Sequence, residues 1–152
     1  MPEKLPEISN QEEFESKLVD LVRVTRVVAG GKRLRFRAAV IIGNRKGKVG
    51  YGVAKGNDVA LALEKALRAA KKNIIEVPIV DETIPFEIKS KFKSAKVLLK
   101  PAKKGRGLKA GGVVRVILEL AGVKNASAKI FGSRNRINNI KATFKALEKL
   151  KI

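Results

Sequence analysis

The chain contains no cysteine, no histidine and no tryptophan, and a single tyrosine. Without cysteine there is no disulfide, no thiolate zinc site and no thiol chemistry. Without histidine there is no Ser–His pair and no imidazole to move protons at neutral pH. Acid is scarce as well. Against 34 Lys and Arg stand 14 Asp and Glu, a formal charge of +20 over 152 residues. No apolar run approaches the roughly 20 residues that span a bilayer. The opening MPEKLPEISN carries two prolines and no apolar stretch of the kind that heads a secreted chain. The expectation is a cytoplasmic protein with no membrane partner, no metal and no cofactor.

What is present is aliphatic and basic. Hydrophobic residues make up 45% and aromatics 5%, which suits one aliphatic domain or two small ones. So large a positive excess opposes a compact state unless a polyanion neutralises it. It is the electrostatic footprint of nucleic-acid binding. The charge is also unevenly placed. Residues 21–56 hold ten Lys and Arg and no acid, and residues 89–109 hold nine and no acid. The acidic stretch 76–87 between them reads as the joint of two halves.

Residues 1–8, broken by Pro2 and Pro6, read as a tail. Ser9 or Asn10 can N-cap a short acidic helix, NQEEFESKL, with Glu12, Glu13 and Glu15 at its positive end. Residues 18–28 read as a strand with Val22 and Val24 on one face and Arg23 and Thr25 on the other. The alternation slips at Arg26, which predicts a bulge there. Residues 29–33 form a turn in which Gly30 and Gly31 can take positive φ. A second strand covers 34–42 and a glycine-rich third covers 49–54. Asn57 or Asp58 then caps a helix to about residue 75, with Val59, Leu63, Ala66, Leu67, Ala70 and Ile74 as its apolar face.

In the second half, 84–89 reads as a strand with Ile84, Phe86 and Ile88 inward. Residues 95–100 form another, stopped by Pro101, and 102–112 form a basic glycine loop. Glycines on either side of 113–121 favour a helix there. A brief strand at 127–131 and a helix at 135–150 follow, the helix with Ile140, Phe144 and Leu147 inward. Lys89, Lys91 and Lys93 recur at every second position, on one side of an extended ribbon. The fold class is α+β, in two small domains.

The stretch GNRKGKVGYGVAKGND, residues 43–58, poses the functional question. A Walker loop needs GxxxxGK followed by Ser or Thr. Here Gly47 comes one residue early and Val49 stands where the hydroxyl belongs. A dinucleotide fingerprint needs GxGxxG, but Lys55 occupies the third glycine's place. What remains is a helix N-terminus behind a glycine-rich strand, flanked by Arg45, Lys46, Lys48 and Lys55. Such a terminus suits an anion. Cations spread over several turns fit a polynucleotide backbone better than one nucleotide, and glycines allow close approach to another polymer. Equally, Gly50 and Gly52 could relieve a crowded strand. Asp81 and Glu82 read as a solvated pair, and nothing near Lys103, Lys104, Gly105, Arg106 and Gly107 supplies a base or a metal ligand. A small-molecule kinase-like enzyme and a free-standing RNA or DNA chaperone are the rivals of a fixed RNA-binding protein.

The GG turn, VGYG followed by AKG, KPAKKGRGLKAGGVVR, AGV and GSRNRIN occur in one order. In that order they resemble small-subunit ribosomal protein S-five of the bacterial type. Residues 89–93 carry more lysine than that pattern. The resemblance implies a double-stranded-RNA-binding-like βββα domain over 18–78 and an S-five-type ββαβα domain with a left-handed crossover over 79–152. The tail and short helix would occupy 1–17. It implies a non-catalytic monomer within the ribosome, bound to small-subunit rRNA beside proteins S-four and S-eight. It would lie where mRNA enters the subunit and influence decoding accuracy. The loop bearing Thr25, Gly30, Gly31 and Lys32 would lie near the spectinomycin site, and Gly105, Gly107 and Arg115 would face S-four. Arg115 sits on a mostly apolar segment, so a buried structural role competes with an interface role. A-form RNA is recognised through phosphates, 2′-hydroxyls and shape. The residues expected to do so are Arg23, Arg26, Lys32, Arg33, Arg45, Lys46, Lys48, Lys55 and Asn57, with Lys103, Lys104 and Arg106 in the second half.

Overall fold

The computed structural model describes residues 14–150, with the side chains of residues 26–28, 32 and 33 outside the described set. Strands β1 (Glu15–Val28), β2 (Gly31–Gly43) and β3 (Lys48–Gly56) form an antiparallel meander, and β4 (Ile75–Glu76) pairs with the start of β3. Helix α1 (Val59–Lys72) covers one face of this sheet. Its N-cap is Asp58, whose carboxylate accepts the Leu61 N–H at 2.7 Å. The second sheet has the order β5-β6-β8-β7, from Ile88–Phe92, Ala95–Pro101, Ala126–Phe131 and Leu108–Lys109. Strand β7 runs parallel to β8, so the chain must cross over between them, and α2 (Gly112–Ala121) makes that connection. Helix α3 (Arg136–Glu148) closes the fold, capped by the Asn135 side chain.

The second half of strand β2 is buried on both faces, which explains its unbroken apolar run, Ala38–Ile42 (0–2% exposed). Ala38, Val40 and Ile42 pack with Ala62, Ala66 and Ala70 of α1. Ala39 and Ile41 face the other way, into a cluster that includes Val97, Leu99, Ile117, Leu118, Ile140 and Leu147 of the second half. The two halves therefore share a core.

Several expectations are corrected. Phe14 is irregular and Glu15–Leu18 is strand rather than helix; residues 10–13 of the proposed acidic helix lie outside the described residues. A helix so short is marginal in water, whereas the β2 edge offers these residues a backbone ladder, Glu15↔Gly43 through Leu18↔Val40. The register shift falls between Leu18 and Asp20, not at Arg26, where pairing continues to Val28↔Gly31. The shift accompanies an Asp20 carboxylate whose contacts lie 3.6 Å from Arg37 and 3.5 Å from Arg136. Of the two hairpin glycines only Gly31 has positive φ, at 126°. Phe86 is 42% exposed, because β5 begins only at Ile88, and Val59 is 38% exposed, its place on the apolar face taken by Ala62.

Candidate nucleic-acid interface

The β2–β3 turn does not project into solvent as a free basic loop. Asn44 Oδ1 accepts the N–H groups of Lys46 and Lys48 at 2.8 and 3.0 Å, which closes the turn. The Arg45 N–H then donates to the Leu120 carbonyl and the Gly47 N–H to the Ala121 carbonyl, both at 2.8 Å. These carbonyls belong to the last turn of α2 and would otherwise lack partners. The turn is thus the clasp between the two halves. Arg45 forks onto the Glu15 carboxylate. That hydrogen bond is the main reason the Glu15 carboxyl sits below the ordinary carboxylate range and the Arg45 guanidinium above its own. The pair's contribution is present above the unfolded carboxyl's pKa and fades as pH falls through the lowered one. Lys46 is exposed and Lys48 half-buried.

The glycines of β3 serve the fold. A Cβ on Gly50 would lie 2.7 Å from the Ala70 carbonyl oxygen, one on Gly52 2.0 Å from that of Ala66, and one on Gly56 2.6 Å from the Ala62 nitrogen. These residues share one face of the strand, and the alanines recur every fourth residue on α1. Strand and helix therefore approach at backbone distance, and no second polymer can enter there.

The expected single anion site at the α1 N-terminus is also divided. Strand β3 runs from Lys48 to Gly56, about 26 Å at the usual strand rise. Arg45, Lys46 and Lys48 lie at one end of it, and only Lys55 and Asn57, both exposed, sit at the helix end. The pairing Phe36↔Gly56 places that end toward the β1–β2 hairpin. Arg23 and Thr25 are exposed on β1 on the approach to the hairpin tip, which carries Gly30 and Gly31. Arg26, Lys32 and Arg33 have their backbones in the same hairpin, while their side chains are outside the described set.

In the second half, Lys103, Lys104 and Arg106 are exposed on a turn between β6 and β7. The turn is held from beneath by Asn125, which is 3% exposed. Its Oδ1 accepts the N–H groups of Gly105 and Gly107 at 3.1 and 2.9 Å. Both glycines have positive φ, 92° and 76°, so their backbone can turn these donors inward. A cavity of about 330 Å³ beside the turn is lined by Lys100, Lys103, Arg106 and Lys109. Arg115 is exposed on α2, which removes the buried role considered for it. Sequence reasoning missed Asn125, whose only visible signal is a polar residue in the short stretch between Val123 and Ala126. It also missed that β7 places Lys109 across β8 from Lys100, with Ser127 between them.

The comparison with protein families matches both halves. Residues 14–78 match the model described as ribosomal protein S5, N-terminal domain, and residues 90–152 match ribosomal protein S5, C-terminal domain.

Proposed function

The chain belongs to the ribosomal protein S5 family, and from that premise we propose how it serves the ribosome. Members are structural, non-enzymatic components of the small subunit, bound to its RNA. In our reading this protein is a clamp. The hairpin end of the first sheet, with Arg23, Arg26, Lys32, Arg33, Lys55 and Asn57, takes phosphates of one RNA helix. The basic turn with Lys103, Lys104 and Arg106 takes those of another. Lys46, Lys48 and the Glu15-paired Arg45 add charge at the clasp. The observation that carries the reading is the shared core: β2 is packed on one face by its own helix and on the other by the second half. Phosphates held on either half are then held in register.

By resemblance to the family, the clamp sits where mRNA enters the subunit, beside S-four and S-eight, and influences decoding accuracy. Thr25, Gly30, Gly31 and Lys32 form the loop near the spectinomycin site. Arg115, Gly105 and Gly107 face S-four.

Salt tests the RNA half of this reading. Log affinity for small-subunit rRNA is expected to fall with log salt by about 0.7 to 0.9 per phosphate contacted. Lys103→Glu with Lys104→Glu and Arg106→Glu should flatten that slope by roughly 3 contacts' worth. A slope identical in the variant would remove the turn from the interface. Arg115→Leu tests the protein half: it is expected to raise miscoding with subunit yield unchanged. Loss of subunit assembly instead would make Arg115 a structural residue.

A further inference from the structure

The lysines of the second sheet form a surface that the clamp leaves unused. Strands β5, β6, β7 and β8 contain no acidic residue. Their inward positions, among them Ser90, Ala95, Val97, Leu99 and Ala126, are buried under α2 and α3. Their outward positions carry Lys89, Lys91, Lys96, Lys100, Lys109 and Lys129, all exposed.

The register shows how these charges lie. Lys91 pairs directly with Lys96, which pairs in turn with Phe131. Lys89 and Lys129 flank Leu98 in the next row. Lys100 and Lys109 flank Ser127, at the edge of the cavity beside the basic turn. Like charges directly opposite on a sheet destabilise it, so Lys91 facing Lys96 is a cost to the free protein. Phe131 stands on an inner strand among these cations and is 42% exposed. The exposed ring leaves apolar surface in water, and the lysine pair beside it lacks a counter-charge on these strands. An unpaired RNA strand suits both, because proteins that hold single strands combine a cationic track for the backbone with an aromatic platform for a base.

We propose that the open face of the second sheet binds an unpaired RNA strand, with the lysine rows on its phosphates and Phe131 stacked on a base. This rests on the chain being an rRNA-binding protein and adds a surface that adjoins the basic turn at Lys100 and Lys109. The lysine rows run across the sheet, so the strand crosses β5, β6 and β8, and the row of Lys100 and Lys109 borders the cavity beside the basic turn. A duplex offers no exposed base face to Phe131 and is held less tightly here.

The test uses the whole protein, a labelled 12-nucleotide oligouridylate and an RNA hairpin of matched length. Lys96→Glu is the informative variant, because it turns the Lys91–Lys96 repulsion into an opposite-charge pair. It is expected to raise the melting temperature while weakening oligouridylate binding about tenfold. Phe131→Ala is expected to weaken oligouridylate about tenfold and the hairpin little. A merely structural role would move stability and affinity together. If wild type binds the oligouridylate and both variants bind it equally well, the strand lies elsewhere and the proposal falls. It also falls if the variants lose only the hairpin, which would assign the face to duplex. Failure of the wild-type protein to bind any RNA would instead sink the wider rRNA reading. Unaltered rRNA binding with failed assembly in both variants would give the face to a protein neighbour.

Discussion

Gly52→Ala is expected to destabilise the protein by about 3 kcal/mol or more and to lower its melting temperature by roughly 10 °C. The added methyl would stand 2.0 Å from the Ala66 carbonyl oxygen and 2.5 Å from the Ala70 nitrogen. Both are backbone atoms in the middle of α1, so no rotamer change relieves the contact. The helix must lift from β3, and its contacts with Val40 and Ile42 go with it. No shrinking of a neighbour helps, because the positions facing the strand are already alanine. Gly30→Ala is the matched control. Nothing lies within 4 Å of its added Cβ, and Gly30 is not among the glycines of positive φ. That substitution should stay within about 0.5 kcal/mol of wild type. Thermal melts of the two variants check this. Equal melting of Gly52→Ala and wild type would mean that strand and helix are not in backbone contact. The glycines would then again be available to an external polymer.

The second large effect is expected at Asn125. Asn125→Ala removes the acceptor for two N–H groups of the basic turn and leaves a void beneath it. A loss of about 2 kcal/mol follows from the unmade hydrogen bonds, together with fast amide exchange at Gly105 and Gly107. Asn125→Asp should keep both amides protected, since a carboxylate oxygen occupies the same place and accepts more strongly. Hydrogen exchange read at those two amides separates the cases. If Asn125→Ala leaves them protected, the positive-φ glycines alone set the turn. Loosening this turn spreads Lys103 and Arg106 from the cavity they line, so rRNA affinity is expected to fall with the exchange protection.

The elements that could be read from the sequence are those whose periodicity is set by one partner. Helix α1 shows an alanine and leucine stripe because only one face meets the sheet. The β1–β2 hairpin shows a GG pair and alternating valines because the far side of β1 is wet. Helix α2, apolar nearly all round, was recognisable only by its flanking glycines, and Gly122 at φ 96° does end it. What was hidden depends on partners far away in the chain. Glu15–Leu18 is strand because β2 extends to Gly43, the partner of Glu15 from far along the chain. The two-residue β7 exists because β8 offers a parallel edge, and no local pattern of that length can announce it.

The candidate site was legible as charge and not as geometry. Arg45 looked like a phosphate ligand, but its backbone clasps α2 and its side chain meets Glu15. The run Lys48 to Lys55 looked like one cluster, but a strand of that length parts its ends. Asn125 was invisible because its function is to accept two N–H groups from a turn twenty residues earlier. The family resemblance, carried by motifs along both halves, reached further than the charge pattern, and the match to both domains agrees with it.

The central claim is that this protein is held in the small ribosomal subunit by its RNA. Sedimentation of a cell lysate through a sucrose gradient, with tagged protein followed before and after RNase treatment, tests it most directly. The account predicts that the protein travels with the small subunit and leaves that peak when the RNA is cut. Protein that stays at the top of the gradient in both cases would contradict it.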